Sequence, residues 1–484
     1  MVFMEKRVCV VGLDGANLPL FRHYFQNKVP NMILTNMRTI LPPYTPAAWT
    51  SLLTGVEPDN HGIYGFLKLS RRGRIPRIVY NTSFDVKFPR IFEILSAYNL
   101  KSVVINAPLT YPIRGLIRPK NYVVVSDWAC PKLYLWPPRL NLRYKEYLVP
   151  PPHEWWAGAS VEEYVKTIQD YTRNRLTIYY DMLEEIDWTL FFIIFSETDW
   201  LLHRLPQILR GHATNAVRNL FAEIARFIAR ACTISDLTIV VSDHGFRRKK
   251  WAVNVNRYLE KYGMLKFTIS PSHKRVRYSM SAKNMLKFSI LTLADVASKC
   301  INLEKLLRIN ALRRKIRLEV DLTKSKALML ECDGWGVYAL NKNEIGKLRD
   351  ILSSIPGVIK VYSKEEIFRG PYIDEFPDFV IIPHKEIEFR VSPARPYLSR
   401  IEEGGHDFYG IFGIYGDEVQ SKGALPHEVS ILDITPTILY YLNLPVTKEM
   451  KNRIIKSIFT FRRKVEVSEK IKLLHKLARY KSFK

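Results

Sequence analysis

The chain has 484 residues, of which 47% are hydrophobic and 25% are charged. This is the composition of an ordinary globular protein with a large core, and the length suggests about two to three domains. No run of about 18 apolar residues occurs, which excludes a membrane-spanning helix. The first predicted strand begins within a few residues of Met1, so we expect no signal peptide.

Lysine and arginine outnumber aspartate and glutamate by 73 to 47, which gives a net charge of +26. Such a charge attracts polyanions, among them nucleotides, nucleic acid and anionic lipid headgroups. The charge can also reflect a general composition bias. Proteins from hot habitats contain many charged residues and few glutamines, and glutamine is scarce in this chain. The five cysteines are widely spaced and fit neither a disulfide framework nor a metal knuckle, so we expect a reducing, cytoplasmic location.

The first half of the chain alternates between strand-like and helix-like patterns. VCVVGLD, ending at Asp14, is a short β-branched run, and PPYTPAAWTS then predicts a helix that begins near Thr45. An amphipathic stretch over 165–186 predicts a long helix that leads into the apolar run WTLFFIIFSETD. LTIVVSDHG, Leu237 to Gly245, repeats the pattern of the first strand. We therefore predict an α/β fold, with a doubly wound and mostly parallel sheet flanked by helices.

The chain divides into four predicted segments. Residues 1–262 form the first part of the α/β core, and 263–383 form an inserted cap that is rich in lysine and arginine. Residues 384–446 complete the core, and 447–484 form a basic tail with an amphipathic helix. Cap and tail are candidates for contact with an anionic membrane surface or nucleic acid; alternatively, the terminal helix docks on its own domain. A proline- and aromatic-rich stretch over 137–156 predicts a loop near the site.

Acidic and imidazole side chains recur where predicted strands end. Open α/β sheets bind their ligands outside the carboxyl ends of the strands. Imidazole nitrogen and carboxylate oxygen are ligands of zinc, and two metal ions about 4 Å apart can clamp the attacking and leaving oxygens of a phosphoryl transfer. We therefore predict a site for two divalent metal ions, with zinc favoured over manganese. The candidate ligands are Asp14, Asp199, His203, Asp243, His244 and His406.

Thr45 is the predicted nucleophile. A threonine hydroxyl attacks poorly at neutral pH, but a bound metal helps it to lose its proton, and free N–H groups at a helix N-terminus favour a phosphate. Threonine before proline is also a common helix start, and both interpretations can hold together. Glu197 and Asp127 are candidates for acids that orient the ligand imidazoles.

These motifs resemble the alkaline phosphatase superfamily, in its type I phosphodiesterase/nucleotide pyrophosphatase branch. PPYTPAAWTSLLTGVEPDNHGIYGF resembles the nucleophile segment of that family, TDWLLH its D-x-x-x-H element and SDHGF its D-H pair. GGHDFYGIFGIYG resembles the segment with the last metal-binding histidine, and ILDITPTILYYLNLP the closing helix. The similarity spans roughly Arg7 to Pro445, and the joint occurrence of the motifs in the order of the family is specific.

The resemblance implies a metal-dependent hydrolase with a defined division of ligands. Thr45 would attack phosphorus to form a phosphothreonine intermediate, and water activated at the other metal would release it. One metal would bind Asp199, His203 and His406, and the other would bind Asp14, Asp243, His244 and Thr45.

One departure from the family pattern leaves the substrate open. Phe66 stands where nucleotide pyrophosphatases usually carry an asparagine that holds the phosphoryl oxygens, and Asn60 and Asn81 are candidates to replace it. The leading hypothesis is cleavage of a phosphodiester or pyrophosphate bond of a nucleotide or similar substrate. The alternatives are a phosphomonoesterase or phosphotransferase on the same scaffold, and a non-enzymatic polyanion-binding protein.

Overall fold

The structure is a computed structural model that describes residues 6–71, 75–113, 119–130, 135–144, 147, 159–271, 316–393, 395–420, 425 and 428–482. Most of the basic part of the predicted cap, and much of the predicted loop over 137–156, lie outside the described residues.

The strands of the described part are β1 (Val8–Leu13), β2 (Ile33–Arg38), β3 (Leu67–Ser70), β4 (Arg77–Tyr80), β5 (Ser102–Ile105), β6 (Tyr122–Val125), β7 (Leu135–Trp136), β8 (Leu190–Phe195), β9 (Leu237–Val241), β10 (Gly245–Asn254), β11 (Phe267–Pro271), β12 (Ile316–Val320), β13 (Ala327–Met329), β14 (Gly336–Ala339), β15 (Val358–Ser363), β16 (Phe379–Pro383), β17 (Ile387–Arg390), β18 (Leu398–Asp407), β19 (Tyr409–Tyr415) and β20 (Val429–Ser430).

The α-helices of the same residues are α1 (Leu18–Tyr24), α2 (Thr45–Thr54), α3 (Pro58–His61), α4 (Ile91–Ala97), α5 (Leu140–Arg143), α6 (Val161–Glu185), α7 (Glu197–Arg204), α8 (Asn215–Ile234), α9 (Val255–Lys261), α10 (Ile345–Ser354), α11 (Lys364–Ile367), α12 (Ile434–Tyr441) and α13 (Lys470–Ser482). Helix α6 confirms the long helix predicted over 165–186, and a capping box between Ser160 and Glu163 explains where it begins.

A nine-stranded sheet organises the fold, in the order β20-β2-β19-β9-β1-β8-β5-β6-β7. Neighbouring strands from β9 to β6 are parallel, whereas β19 is antiparallel to both of its neighbours. The predicted α/β class with a mostly parallel sheet is therefore confirmed. Because parallel strands end at the same edge, the segments that follow β9, β1 and β8 emerge side by side.

Each face of this sheet carries its own hydrophobic core. Along β1, Cys9 and Val11 pack into the core that includes α1, α6 and α8, while Val8 and Val10 pack into the core of α2, α4 and α12 on the other face. Side chains of a strand alternate between faces, so an all-apolar strand must be covered on both. This explains why the first strand is an uninterrupted apolar run.

A third core lies between smaller sheets in the second half of the chain. The antiparallel sheet β13-β14-β16-β15 contributes most of it, and residues of the ranges 64–69 and 253–265 pack into the same core. The predicted cap is thus in contact with residues 64–69, which follow α2 and α3 in the chain. Its division from the core at residues 262 and 383 stays a prediction. Within the described residues, no helix has the length and apolar character that a membrane crossing requires.

Candidate metal centre

Three neighbouring parallel strands deliver the aspartates of the site. Asp14 follows β1 directly, Asp243 comes two residues after β9, and Asp199 lies in the first turn of α7, just after β8. The strand ends are level, since Leu13 pairs with Phe195 of β8. The carboxylates therefore meet at one edge of the sheet, as the sequence predicts for an open α/β fold.

A long-range strand pairing brings the last histidine to this edge. β10 pairs with β18, and in that antiparallel register Phe246 lies opposite His406. Gly404 makes the approach of β18 to α7 feasible, because a Cβ atom there would lie 2.2 Å from the carbonyl oxygen of Leu202. His406 thus reaches both the Asp243–His244 pair and helix α7.

The first group of candidate ligands forms a compact triangle. Asp199 Oδ1 lies 3.4 Å from His203 Nε2 and 3.6 Å from His406 Nε2, and the two imidazole nitrogens are 3.3 Å apart. Four ligands at about 2.1 Å from a tetrahedral zinc lie about 3.4 Å from one another. The spacing therefore suits one four-coordinate metal, with a fourth position left for another ligand.

The second group surrounds His244 at similar distances. His244 Nε2 lies 3.3 Å from Asp243 Oδ2, 3.7 Å from Asp14 Oδ1 and 3.3 Å from the hydroxyl oxygen of Thr45. All four residues are buried, and His244 and Asp243 have no exposed surface. The rings of His244 and His406 stack with centroids 3.7 Å apart, which places the two groups side by side. The structure thus brings together all seven residues of the predicted site.

Backbone carbonyls determine which imidazole nitrogens face the centre of the site. Nδ1 lies 2.8 Å from Pro43 O in His406, 3.2 Å from Gly404 O in His203 and 3.1 Å from Gly245 O in His244. An Nδ1–H group that donates to a carbonyl leaves the lone pair of Nε2 free for a metal. All three histidines therefore present the same nitrogen.

The expectation that Glu197 and Asp127 orient these imidazoles is wrong. Glu197 forms a buried ion pair with Arg175 at 2.8 Å, and Asp127 accepts a hydrogen bond from the backbone N–H of Ala129 at 2.8 Å. A carbonyl oxygen can come from any residue type, so the sequence carries no signal for the acceptors that replace them.

The chemistry of the site favours a cation. Asp14 Oδ1, Asp199 Oδ1 and Asp243 Oδ2 are buried and make no hydrogen bond. Burial, together with the charge of Asp243, raises the pKa of Asp14 well above its ordinary value, and burial raises the pKa of Asp243 to about 7. Asp14 and Asp243, which are costly to ionise, and the neutral His244 Nε2 are together the donor set of a divalent metal. Burial also raises the pKa of Asp199, but the charge of His203 outweighs it and lowers that pKa. The described residues therefore fit two metal ions.

The histidines respond differently to this environment. Burial and the nearby charge of His406 lower the pKa of His244 well below its ordinary value, which keeps the imidazole neutral. Burial also lowers the pKa of His203, but Asp199 outweighs it and raises that pKa to about 9. In metal-free protein, the proton on His203 supplies the positive charge next to Asp199. A divalent cation bound to the first group would replace that proton.

Thr45 is the first residue of α2, and its side chain is 7% exposed. The N-terminal N–H groups of a helix have no partner within that helix, and they attract anions. The hydroxyl of Thr45 therefore faces one ligand group at the end of a helix that favours a phosphate.

Aromatic rings pack together next to Tyr44, the residue before Thr45. The ring of Phe66 lies edge-on to Tyr44, with centroids 5.8 Å apart, and to Trp128 at 5.7 Å, and Trp128 lies edge-on to Trp200 at 6.3 Å. Phe66 is thus an apolar wall where the family pattern leads one to expect an amide. The two asparagines proposed to replace it are engaged locally: Asn60 Nδ2 donates to Asp59 at 3.0 Å, and Asn81 Nδ2 donates to Gly65 O at 2.8 Å.

Two acids of the predicted cap approach the site without any signal in the sequence. Glu331 accepts hydrogen bonds from the hydroxyl of Tyr44 at 2.9 Å and from the N–H of Leu67 at 3.1 Å, which links the residue before α2 to the start of β3. Burial raises the pKa of Asp333, but the charges of His406 and His203 outweigh it and hold that pKa below its ordinary value. Asp333 therefore lies within electrostatic reach of the first ligand group.

Comparisons with known proteins agree with this architecture. Residues 8–406 match the profile of the family described as type I phosphodiesterase/nucleotide pyrophosphatase. The fold is similar to phosphonoacetate hydrolase from Sinorhizobium meliloti 1021 in complex with phosphonoformate, with 13% identity and a TM-score of 0.54 over 91% of this chain and 95% of that chain. It is also similar to human ectonucleotide pyrophosphatase/phosphodiesterase 5, with 12% identity and a TM-score of 0.53 over 91% and 96% of the two chains.

The murine form of that second protein aligns with 15% identity and a TM-score of 0.51, over 91% of this chain and 95% of that chain. Among curated proteins, no sequence matches. The structural similarities concern the fold, whereas the family profile covers most of the sequence. The chain therefore belongs to the type I phosphodiesterase/nucleotide pyrophosphatase family of the alkaline phosphatase superfamily, and it is a metal-dependent hydrolase.

Proposed function

We propose that this hydrolase cleaves a phosphodiester or pyrophosphate bond of a nucleotide or similar substrate, with Thr45 as the nucleophile. The observation that carries the proposal is the position of the Thr45 hydroxyl. It lies 3.3 Å from His244 Nε2, at the N-terminus of α2 and beside buried carboxylates that make no hydrogen bond. Family membership makes the chain an enzyme, so the non-enzymatic polyanion-binding alternative is set aside.

Different residues of the chain would bind the metal ions, attack phosphorus and bind the phosphoryl oxygens. Asp14, Asp243 and His244 would hold one metal next to Thr45, and Asp199, His203 and His406 would hold the other. Bound metal ions polarise phosphoryl oxygens and ease the loss of a proton from a hydroxyl or water. The Thr45 oxygen attacks phosphorus in line with the leaving oxygen, and the free N–H groups of α2 bind the phosphoryl oxygens. Water then attacks the phosphothreonine and regenerates the hydroxyl.

Zinc is the metal that we propose for both positions. Its support is the mixed set of imidazole and carboxylate donors and the spacing of 3.3–3.6 Å within the first group. Manganese is the alternative metal. It prefers oxygen-rich sites with more ligands, so the three imidazoles favour zinc. A cytoplasmic location stays a prediction.

Phe66 supports an organic ester as the group next to phosphorus. A ring packed between Tyr44 and Trp128 offers apolar surface and no hydrogen-bond donor, so a second charged oxygen would lose its hydration without gaining a partner there. A murine relative, ectonucleotide pyrophosphatase/phosphodiesterase 5, was solved in complex with AMP as an inactive threonine-to-alanine variant. That protein thus binds a nucleotide, which supports a nucleotide as substrate class here.

The test compares two threonines of the same helix. Thr45→Ala should reduce hydrolysis of bis-p-nitrophenyl phosphate on the order of 10⁴-fold or more while the protein still binds metal. Thr50→Ala is the matched control, because its hydroxyl donates to Pro46 O at 2.6 Å and faces no ligand. Acid-quenched wild type should carry phosphate on Thr45 by mass spectrometry. Full turnover by Thr45→Ala would refute the nucleophile, and faster cleavage of the monoester would favour the phosphatase or phosphotransferase alternative.

A further inference from the structure

The C-terminal helix α13 is held to the rest of the protein by one face. Ile471 is 2% exposed and belongs to the core beneath α2 and α4, and Leu474 packs against the same core. His475 is also buried, and its Nδ1 lies 3.4 Å from Glu93 Oε1 on α4. Helix α13 therefore contacts its own domain, as the sequence predicted as one alternative. This contact involves only one face of the helix.

The opposite face of α13 carries a second apolar stripe. Leu473 is 58% exposed, Leu477 is 48% exposed and Tyr480 is 63% exposed. Successive residues of an α-helix are about 100° apart, so these three positions fall within one narrow arc on the side away from Ile471. A helix that only needed to dock would present polar residues there.

Lysines flank this stripe on both sides. Lys470 and Lys476 are exposed, and each lies about 60° from Leu473 around the helix axis, in opposite directions. Lysine side chains can lay their methylene groups along apolar surface while the ammonium group reaches toward headgroups. A row of large apolar side chains with a lysine on each side is the pattern of a helix that lies in the plane of a membrane interface.

We propose that this face of α13 docks the protein on the surface of an anionic lipid bilayer. The lysines complement acidic headgroups, and the chain as a whole carries a net charge of +26. Leu473 and Leu477 enter the boundary between headgroups and acyl chains. Nucleic acid fits this face less well, because phosphates would meet the lysines while the two leucines would remain in water.

The test uses the full-length protein and vesicles of defined composition. Wild type should co-sediment with mixed phosphatidylcholine–phosphatidylglycerol vesicles, and much less with phosphatidylcholine alone. Each lysine near an anionic surface strengthens association about fivefold, so Lys470→Gln with Lys476→Gln should weaken binding about 25-fold and reduce its dependence on salt. Leu473→Gln with Leu477→Gln should abolish sedimentation, because the remaining charges cannot insert.

Ile359→Gln is the matched control, since Ile359 is 62% exposed on β15 and outside this face. All variants change exposed side chains and should keep the thermal unfolding midpoint of the wild type. The proposal is overturned if wild type does not bind the anionic vesicles, or if the Leu473/Leu477 variant binds them as wild type does. It is also overturned in favour of nucleic acid if duplex DNA binds equally well and only the lysine substitutions weaken it.

Discussion

Removal of the metal ions should destabilise the protein, and more so at higher pH. The reason lies in the carboxylates of the site, whose oxygens are buried without a hydrogen bond in the absence of a cation. A buried acceptor left without a partner costs about 1–3 kcal/mol, and more when it is charged. The oxygens concerned are Asp14 Oδ1 and Asp243 Oδ2, since Asp199 Oδ1 has the imidazole of His203 within 3.4 Å. We therefore expect metal-free protein to lose about 2–6 kcal/mol at a pH where both are ionised.

The pH dependence follows from the raised pKa of Asp243. Burial raises that pKa to about 7 in the folded, metal-free protein, whereas an aspartate in an unfolded chain has a pKa of about 4. Between about pH 4 and pH 7, the metal-free native state binds more protons than the unfolded state, so its stability falls as the pH rises through this window. Asp14 acts in the same direction, because burial and the charge of Asp243 raise its pKa as well. A bound divalent cation keeps both carboxylates ionised and removes this dependence.

The assay is thermal unfolding of chelator-treated and zinc-restored protein at about pH 5 and about pH 8. The difference between the two midpoints should be larger at the higher pH. Histidine protonation weakens metal binding at low pH and acts in the same direction, so metal-free Asp243→Asn is the control. It should unfold with a midpoint that changes less with pH than that of metal-free wild type. Equal midpoints with and without metal at the higher pH would show that the buried carboxylates do not need a cation to remain stable.

Three further perturbations follow from contacts outside the ligand set. Phe66→Asn should raise KM for bis-p-nitrophenyl phosphate about tenfold, because it removes apolar surface worth about 1–2 kcal/mol from the aromatic cluster next to Tyr44. Glu331→Gln should lower kcat up to about tenfold with little change in KM, because a weaker hydrogen bond to Tyr44 loosens the segment before Thr45, the proposed nucleophile. Arg175→Met should lower stability by about 3–5 kcal/mol in denaturant unfolding, because Glu197 keeps a buried charge without its partner.

Each of these has an outcome that contradicts it. An unchanged KM for the aryl diester in Phe66→Asn would mean that the substrate does not contact the aromatic wall. A change in KM alone in Glu331→Gln would assign that residue to substrate binding instead of positioning. Wild-type stability of Arg175→Met would mean that Glu197 gains another partner or a proton. In that case, adding Glu197→Leu to Arg175→Met would not raise the free energy of unfolding further.

The class of the fold and the types of side chain at the candidate site could be predicted from the amino-acid sequence alone. Both are local properties: an apolar β-branched run such as Val8–Leu13 specifies a buried strand, and an aspartate directly after it specifies what the carboxyl end of that strand carries. The spacing of Asp199 and His203 likewise predicted one helical face, and α7 has that geometry. The order of these motifs was enough to identify the family.

The assembly of the candidate site and its surroundings, in contrast, depend on contacts between distant parts of the chain. The pairing of β10 with β18, which brings His406 to His244, depends on a register between segments far apart in the chain. The same holds for the carbonyl of Pro43 behind His406 and for the contact of Glu331 with Tyr44. Hydrophobic periodicity states which face of an element is buried, but not which other element covers it. Contacts of this kind therefore follow from packing and strand register, which no local pattern encodes.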